Sequence, residues 1–92
     1  MQGFIVKQPY SNEIINGTKK FEFRNFKTKK LNIPIYLLSE GVVLGKIMFI
    51  EIKENKKDWN YAWKIKVLKK FVKPWKYSHP QGAQRWVKKV SK

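Results

Sequence analysis

Gly41 to Glu54 reads GVVLGKIMFIEIKE, the longest apolar stretch of the chain and the one whose reading decides the fold. Its first part is continuously apolar, as in a strand covered on both faces. Its end alternates as Ile50, Glu51, Ile52, Lys53, the two-residue period of a strand with one wet face. The segment is therefore predicted to be a long central strand, bent at Gly45, where a missing side chain favours a bulge. Glu40 and Gly41 supply the turn ahead of it. After the polar segment ENKKD (54–58), WNYAWKIKVLKKFV (59–72) alternates Trp63, Ile65 and Val67 with Lys64, Lys66 and Leu68. That pattern predicts a second strand with one basic face.

Towards the N-terminus, IPIYLLS (33–39) reads as a strand in which Pro34 marks an edge or a start. The loop before it, KTKK (27–30), is polar and basic. KFEFRNF (20–26) alternates again, which predicts Phe21 and Phe23 towards the core and Glu22 and Arg24 together on the opposite face. In PYSNEIING (9–17), Pro9 suits a first helical turn, Tyr10 and Ile14 share a face, and Gly17 is placed to end a short helix in the left-handed region. GFIVK (3–7) is a first strand closed by Pro9. At the other end, KPWKYSHPQGAQRWVKKV (73–90) reads as a structured loop with a late strand from Gln84 to Val90. The expected architecture is α+β and mostly β: a small closed or half-open barrel of five or six strands with one or two short helices.

A chain of 92 residues has room for one core, so residues 1–92 are read as a single domain. Apolar residues at 42% and aromatics at 15% are too many for a disordered polycation. The 21 Lys and Arg against 6 Asp and Glu give a formal charge of +15. Such a surface attracts polyanions, nucleic acid first and an anionic membrane surface second. An AT-rich genome would explain Lys in place of Arg, but not the shortage of acids. Without cysteine there is no disulfide, thiol nucleophile or thiolate metal site. No metal or other cofactor is expected. The start, MQGFIVKQPY, lacks a basic stretch followed by a long apolar run, and no segment approaches the roughly 18 apolar residues of a membrane span. The expectation is a cytoplasmic protein with no membrane partner.

Gly17 to Arg24, GTKKFEFR, has the spacing G-x-K-x-x-E-x-R directly after the predicted helix and running into a strand. This pattern resembles the ASCH domain, a branch of the PUA-like superfamily. The resemblance continues in the V-x-G-x-I of the central strand, here Val43 to Ile47, and in a K-P…G-x-Q tail, here Lys73-Pro74 and Gly82-Ala83-Gln84. It covers nearly the whole chain. It implies a PUA-like barrel with a cleft between barrel and helix into which Lys19, Glu22 and Arg24 point, and an RNA-interacting domain, which favours RNA over DNA as partner.

Chemistry gives these residues sensible roles. A carboxylate flanked by Lys and Arg accepts hydrogen bonds from the exocyclic amino group of a base and orients the cations towards phosphate. Recognition of one splayed-out or modified nucleotide is then feasible. The bland alternative is an exposed ion pair contributing under about 1 kcal/mol. One branch of the family is similar to small hydrolases of acetylated cytidine that use a lysine, a threonine and a glutamate. Lys19 matches the lysine, but Glu22 stands where the threonine belongs, and Thr18 would project to the other side of an extended chain. A hydrolase, whether of acetylcytidine or a metal-free ribonuclease with Lys19, Glu22 and Arg24 as its groups, is thus the alternative to a binding module. A DNA-binding accessory protein is a third option. His79, the lone histidine, has no identifiable partner and is expected to fix its loop or lie at the surface in preference to serving as a general base.

The candidate phosphate track comprises Lys66, Lys69, Lys70, Lys73 and Lys76, with Arg85, Lys88 and Lys89. Trp63 and Trp86 are expected to pack in the core. Trp59 and Trp75, flanked by polar and basic residues, are the candidate base-stacking planes.

Overall fold

The computed structural model describes residues 1–55 and 60–91. Its elements in chain order are β1 (Gly3–Ile5), α1 (Tyr10–Ile15), β2 (Phe21–Arg24), β3 (Ile35–Ser39), β4 (Val42–Asn55), β5 (Asn60–Lys76) and β6 (Trp86–Val87). The six strands form one sheet in the order β2-β5-β4-β3-β1-β6, antiparallel throughout except where β1 runs parallel to β3. The sheet curls into a half-barrel with α1 against it, a small α+β, mostly-β fold of the predicted class.

The long apolar segment forms, from Val42 on and through Asn55, the 14-residue β4, second only to its 17-residue partner β5. Glu40 and Gly41 have φ of 50° and 80°, so the β3–β4 connection is a two-residue hairpin with both central residues left-handed. The predicted bend is real: pairing shifts between Val43 and Gly45, and a Cβ on Gly45 would collide with the Lys69 carbonyl oxygen and lie 2.6 Å from Cδ1 of Ile15. Gly45 is therefore where β5 and helix α1 both close on the central strand.

The concave side holds an aromatic core. Phe4, Phe49 and Trp63 are fully buried, with the Phe4 and Phe49 rings edge to face at 5.4 Å and Phe49 and Trp63 at 5.1 Å. Pairs of this geometry contribute about 0.5–1.5 kcal/mol beyond area burial. The Trp63 indole N–H donates to the Phe26 carbonyl at 3.0 Å, which satisfies its polar edge. Ile14 and Ile15 of α1 complete the cluster, and Trp86 packs half-buried against it. A second cluster, Leu38, Val43, Tyr77, Val87 and Val90, forms where residues beyond β5 and at the C-terminus fold back on the sheet. Adjacent Leu37 and Leu38 join different clusters because β3 is covered on both sides.

Three expectations are corrected. Phe21 and Phe23 do not face the core: Glu22 is buried at 7% exposure while Phe23 is 57% exposed. The alternation was right and its phase inverted. β2 pairs only with β5, opposite Trp63, and at this edge the interior is an open cleft that an ion-paired carboxylate can occupy. Secondly, β5 continues through Pro74 to Lys76, so the loop starts later than expected. It tolerates proline because register jumps there: Gly45 faces Lys70 and Val43 faces Trp75, leaving residues 71–74 outside the ladder. Thirdly, the last strand is only Trp86–Val87 instead of Gln84–Val90. Pro34 immediately precedes β3, an interior strand, so it marks a start and not an edge. No helix among the described residues is long and apolar enough to cross a membrane.

Candidate nucleic-acid interface

Lys19, Glu22 and Arg24 come together through the turn between α1 and β2. Gly17, at φ 84°, reverses the chain after the helix, and the backbone N–H groups of Thr18 and Lys19 both donate to the Glu13 carbonyl at 2.9 Å. This hook sets Lys19 over the start of β2. Glu22 then projects inward, where its Oε2 accepts from Arg24 Nη2 at 2.9 Å and its Oε1 lies 3.7 Å from Lys19 Nζ. The Arg24 guanidinium lies over the buried Phe4 ring at 4.9 Å, an apolar support that leaves the charge facing the opening. Its Nε is buried and has no hydrogen-bond partner. A donor in that state is costly unless something accepts from it.

Glu22 and Arg24 line a cleft of about 290 Å³ together with Ile5, Val6, Lys7, Tyr10, Phe23 and Gln84, and Lys19 reaches it through its ion pair with Glu22. The cleft therefore lies between barrel edge β2 and the β1–α1 connection, with two cations, Lys7 and Arg24, in its lining and Lys19 paired to its one carboxylate. Its volume is at the lower end of small-molecule sites, about 300–1,000 Å³. Tyr10 and Phe23, both more than half exposed, flank the opening, and Lys19 Nζ sits 5.7 Å from the one ring and 5.1 Å from the other. Thr18 is exposed, outside the cleft lining.

Comparison with protein-family models and with curated proteins finds no match for this chain. The site is therefore read from its own residues.

The remaining candidates divide. Lys66, Lys69, Lys70, Lys73 and Lys76 all lie on β5 and are exposed. Lys70 Nζ donates to the Asn16 side-chain oxygen, which ties this strand to the end of α1 beside the cleft. Arg85 precedes β6, at the other side of the sheet order, and its guanidinium covers the Phe26 ring at 4.8 Å. Lys88 and Lys89 follow β6 and are exposed. The eight cations thus divide between β5 and the residues flanking β6, two strands separated by β4, β3 and β1 in the sheet order. Trp75 is half-buried, edge-on to Tyr36 at 5.5 Å and near Phe71, with Lys69 Nζ 6.0 Å from the Phe71 ring and Lys46 Nζ 6.0 Å from Tyr36. Trp59 lies outside the described residues.

His79 fixes its loop. Its Nε2–H donates to the Ala83 carbonyl at 3.0 Å, which can only accept, so Nδ1 accepts from the Tyr77 hydroxyl at 2.8 Å. Burial raises the Tyr77 pKa above the ordinary tyrosine value. Among the described residues no group of three or more His, Cys, Asp or Glu could hold a metal ion.

The sequence reading did not single out Lys7, Tyr10, Phe23 or Gln84 as site residues. Phe23 follows from the phase of β2 once that is known: on a two-residue period, a buried Glu22 forces its neighbour outward. Lys7 and Gln84 are brought in only by the pairing of β1 with β6.

Proposed function

We propose that this protein is an RNA-binding module of the PUA-like, ASCH type that acts in the cytoplasm and takes one unstacked nucleotide into the Lys19–Glu22–Arg24 cleft. The observation that carries the reading is a buried carboxylate held between two cations in a cleft of about 290 Å³ on a chain of net charge +15. A purely cationic groove would attract phosphate without reading a base. Glu22 adds an acceptor suited to the exocyclic amino group or ring N–H of a base edge, and the Arg24 guanidinium lining the cleft supplies a donor for a carbonyl or phosphate oxygen. Tyr10 and Phe23 offer planes for the base or its neighbour. RNA is favoured over duplex DNA because a single-nucleotide cleft accepts a base that is already splayed out, as in RNA loops and single strands, whereas a duplex must first be opened. The lysines of β5 then contribute affinity by releasing counterions.

The test is a binding comparison across single-stranded RNA, duplex RNA and duplex DNA at two salt concentrations. Single-stranded RNA should bind tightest, by about tenfold or more, and keep its lead at the higher salt. Equal affinity for duplex DNA, with the same steep salt loss for all three, would rule out nucleotide recognition.

A further inference from the structure

A larger cleft, about 460 Å³, lies beyond β2 and is lined by Lys27, Thr28, Lys29, Leu31, Ile52 and Glu54. We propose that it is a second nucleotide subsite, occupied by the continuation of the RNA strand whose first base enters the Glu22 cleft; the inference rests on the RNA-binding reading above.

Continuity carries it first. Arg24 and Gln84 line the first cleft, and Lys27 lines the second. Arg85 follows Gln84 in the chain, Phe26 precedes Lys27, and the Arg85 guanidinium rests on the Phe26 ring at 4.8 Å. A cation and its supporting aromatic ring are therefore next in the chain to the lining of the two clefts, one to each. Arg24 and Lys27 are three residues apart, which limits the separation of their Cα atoms to about 10 Å, within the reach of a short oligonucleotide.

Composition carries it second. The cleft repeats the chemistry of the first: two cations, Lys27 and Lys29, one carboxylate, Glu54, and an apolar floor from Leu31 and Ile52. Thr28 is buried, and its Oγ1 accepts the Lys30 backbone N–H at 3.0 Å, so the hydroxyl hydrogen remains to donate to an acceptor in the cleft. Lys27 Nζ lies 5.5 Å from the Tyr61 ring and Lys30 Nζ 4.0 Å from the Trp86 ring, so aromatic faces hold the basic loop in place. A carboxylate retained in so basic a protein, beside a hydroxyl donor and an apolar floor, fits a base better than it fits a bare phosphate.

The experiment uses randomised single-stranded RNA of two and of eight nucleotides, with the intact protein, a Lys27→Ala/Lys29→Ala variant and a charge-matched Lys88→Ala/Lys89→Ala control, all at exposed positions. Backbone amide shifts should move at Glu22 to Arg24 and Gln84 with the dinucleotide, and additionally at Lys27 to Lys29, Ile52 and Glu54 with the octanucleotide. Lys27→Ala/Lys29→Ala should lower octanucleotide affinity by about tenfold more than the control does, while dinucleotide affinity matches the control's. Equal losses for both variants at both lengths, or no shifts at residues 27–29, would overturn the second subsite and leave the first intact. No binding of either RNA by the intact protein would overturn the RNA reading and this inference with it.

Discussion

At the cleft, Lys19 and Arg24 are partly buried, 20% and 25% exposed, and both ion pairs among the described residues converge on Glu22. On β5, Lys66, Lys69, Lys70, Lys73 and Lys76 are exposed, and the partners observed for them are the Asn16 amide and the Phe71 ring, not carboxylates. The same residue types therefore stand in two physical situations. A cation fixed against a buried acid has a direction and can discriminate between ligands. A solvated lysine has charge and reach only, and screening by salt weakens it. On the proposed reading, the number of cations would set how strongly the chain attracts a polyanion, and Glu22, the one buried acid among the described residues, would set what it tells apart.

Removing the β5 charge should have the largest effect. Replacing Lys66, Lys69, Lys70, Lys73 and Lys76 with Gln should lower affinity for single-stranded RNA about a hundredfold or more at low salt, equally for all sequences. The slope of log K against log salt should become shallower by about 0.7 per contacting lysine, read by fluorescence anisotropy. A change in sequence preference would break the division between the two regions.

Gly45 couples the regions, because Lys69 and Ile15 both close on it. Gly45→Ala should destabilise the fold by about 1–3 kcal/mol in chemical denaturation, since the Lys69 carbonyl is backbone and cannot swing aside. It should also loosen the helix that walls the cleft, so that nucleotide affinity falls along with stability.

Two aromatic environments, one exposed and one half-buried, sharpen the contrast further. Phe23→Ala should cost about 1–3 kcal/mol of RNA affinity with under about 0.5 kcal/mol of stability, because the ring projects from the sheet. Trp75→Ala should do the reverse, losing stability through its contacts with Tyr36 and Phe71 while nucleotide affinity changes little. Melting and titration of the two variants in parallel check this.

The smallest effect concerns the His79 loop, whose residues Tyr77 and His79 are outside the cleft lining. Burial favours the neutral Tyr77 phenol, so its folded pKa exceeds the unfolded value of 10.0, and the stability it contributes is present below that value and lost as pH rises through the folded one. Tyr77→Phe should be less stable than the parent by about 1 kcal/mol at neutral pH. The gap should narrow above pH 10, measured as denaturation midpoints against pH. RNA binding at neutral pH should not change.

Much of the scaffold was legible because its signals are local. Glu40-Gly41 supplies two left-handed positions in sequence, Gly45 interrupts an apolar run, and Trp63 and Ile65 alternate with lysines; each fixes structure within a few residues. What escaped depended on distant partners. An alternating strand announces its period but not its phase, so Glu22 could be placed inward only by knowing that β2 lies at a sheet edge beside a cleft. The passage of β5 through Pro74 depends on a register jump opposite Gly45, and the stacking of Arg85 on Phe26 joins residues far apart in the chain. Lys19, Glu22 and Arg24 were named through the family resemblance that their spacing carries, and the structure brings them together as ion pairs; the aromatics and Gln84 around them were not named, because only the closed fold assembles that rim.

The division between a discriminating cleft and an attracting strand is tested most directly by one substitution, Glu22→Gln, titrated with single-stranded RNA across a salt series. The variant keeps the shape of the side chain and removes its charge, so the account predicts a line parallel to that of the parent protein and lower by about 1–3 kcal/mol, equivalent to about ten- to a hundredfold in affinity. Binding as tight as the parent's, or tighter at every salt concentration as simple removal of a negative charge would give, would contradict it.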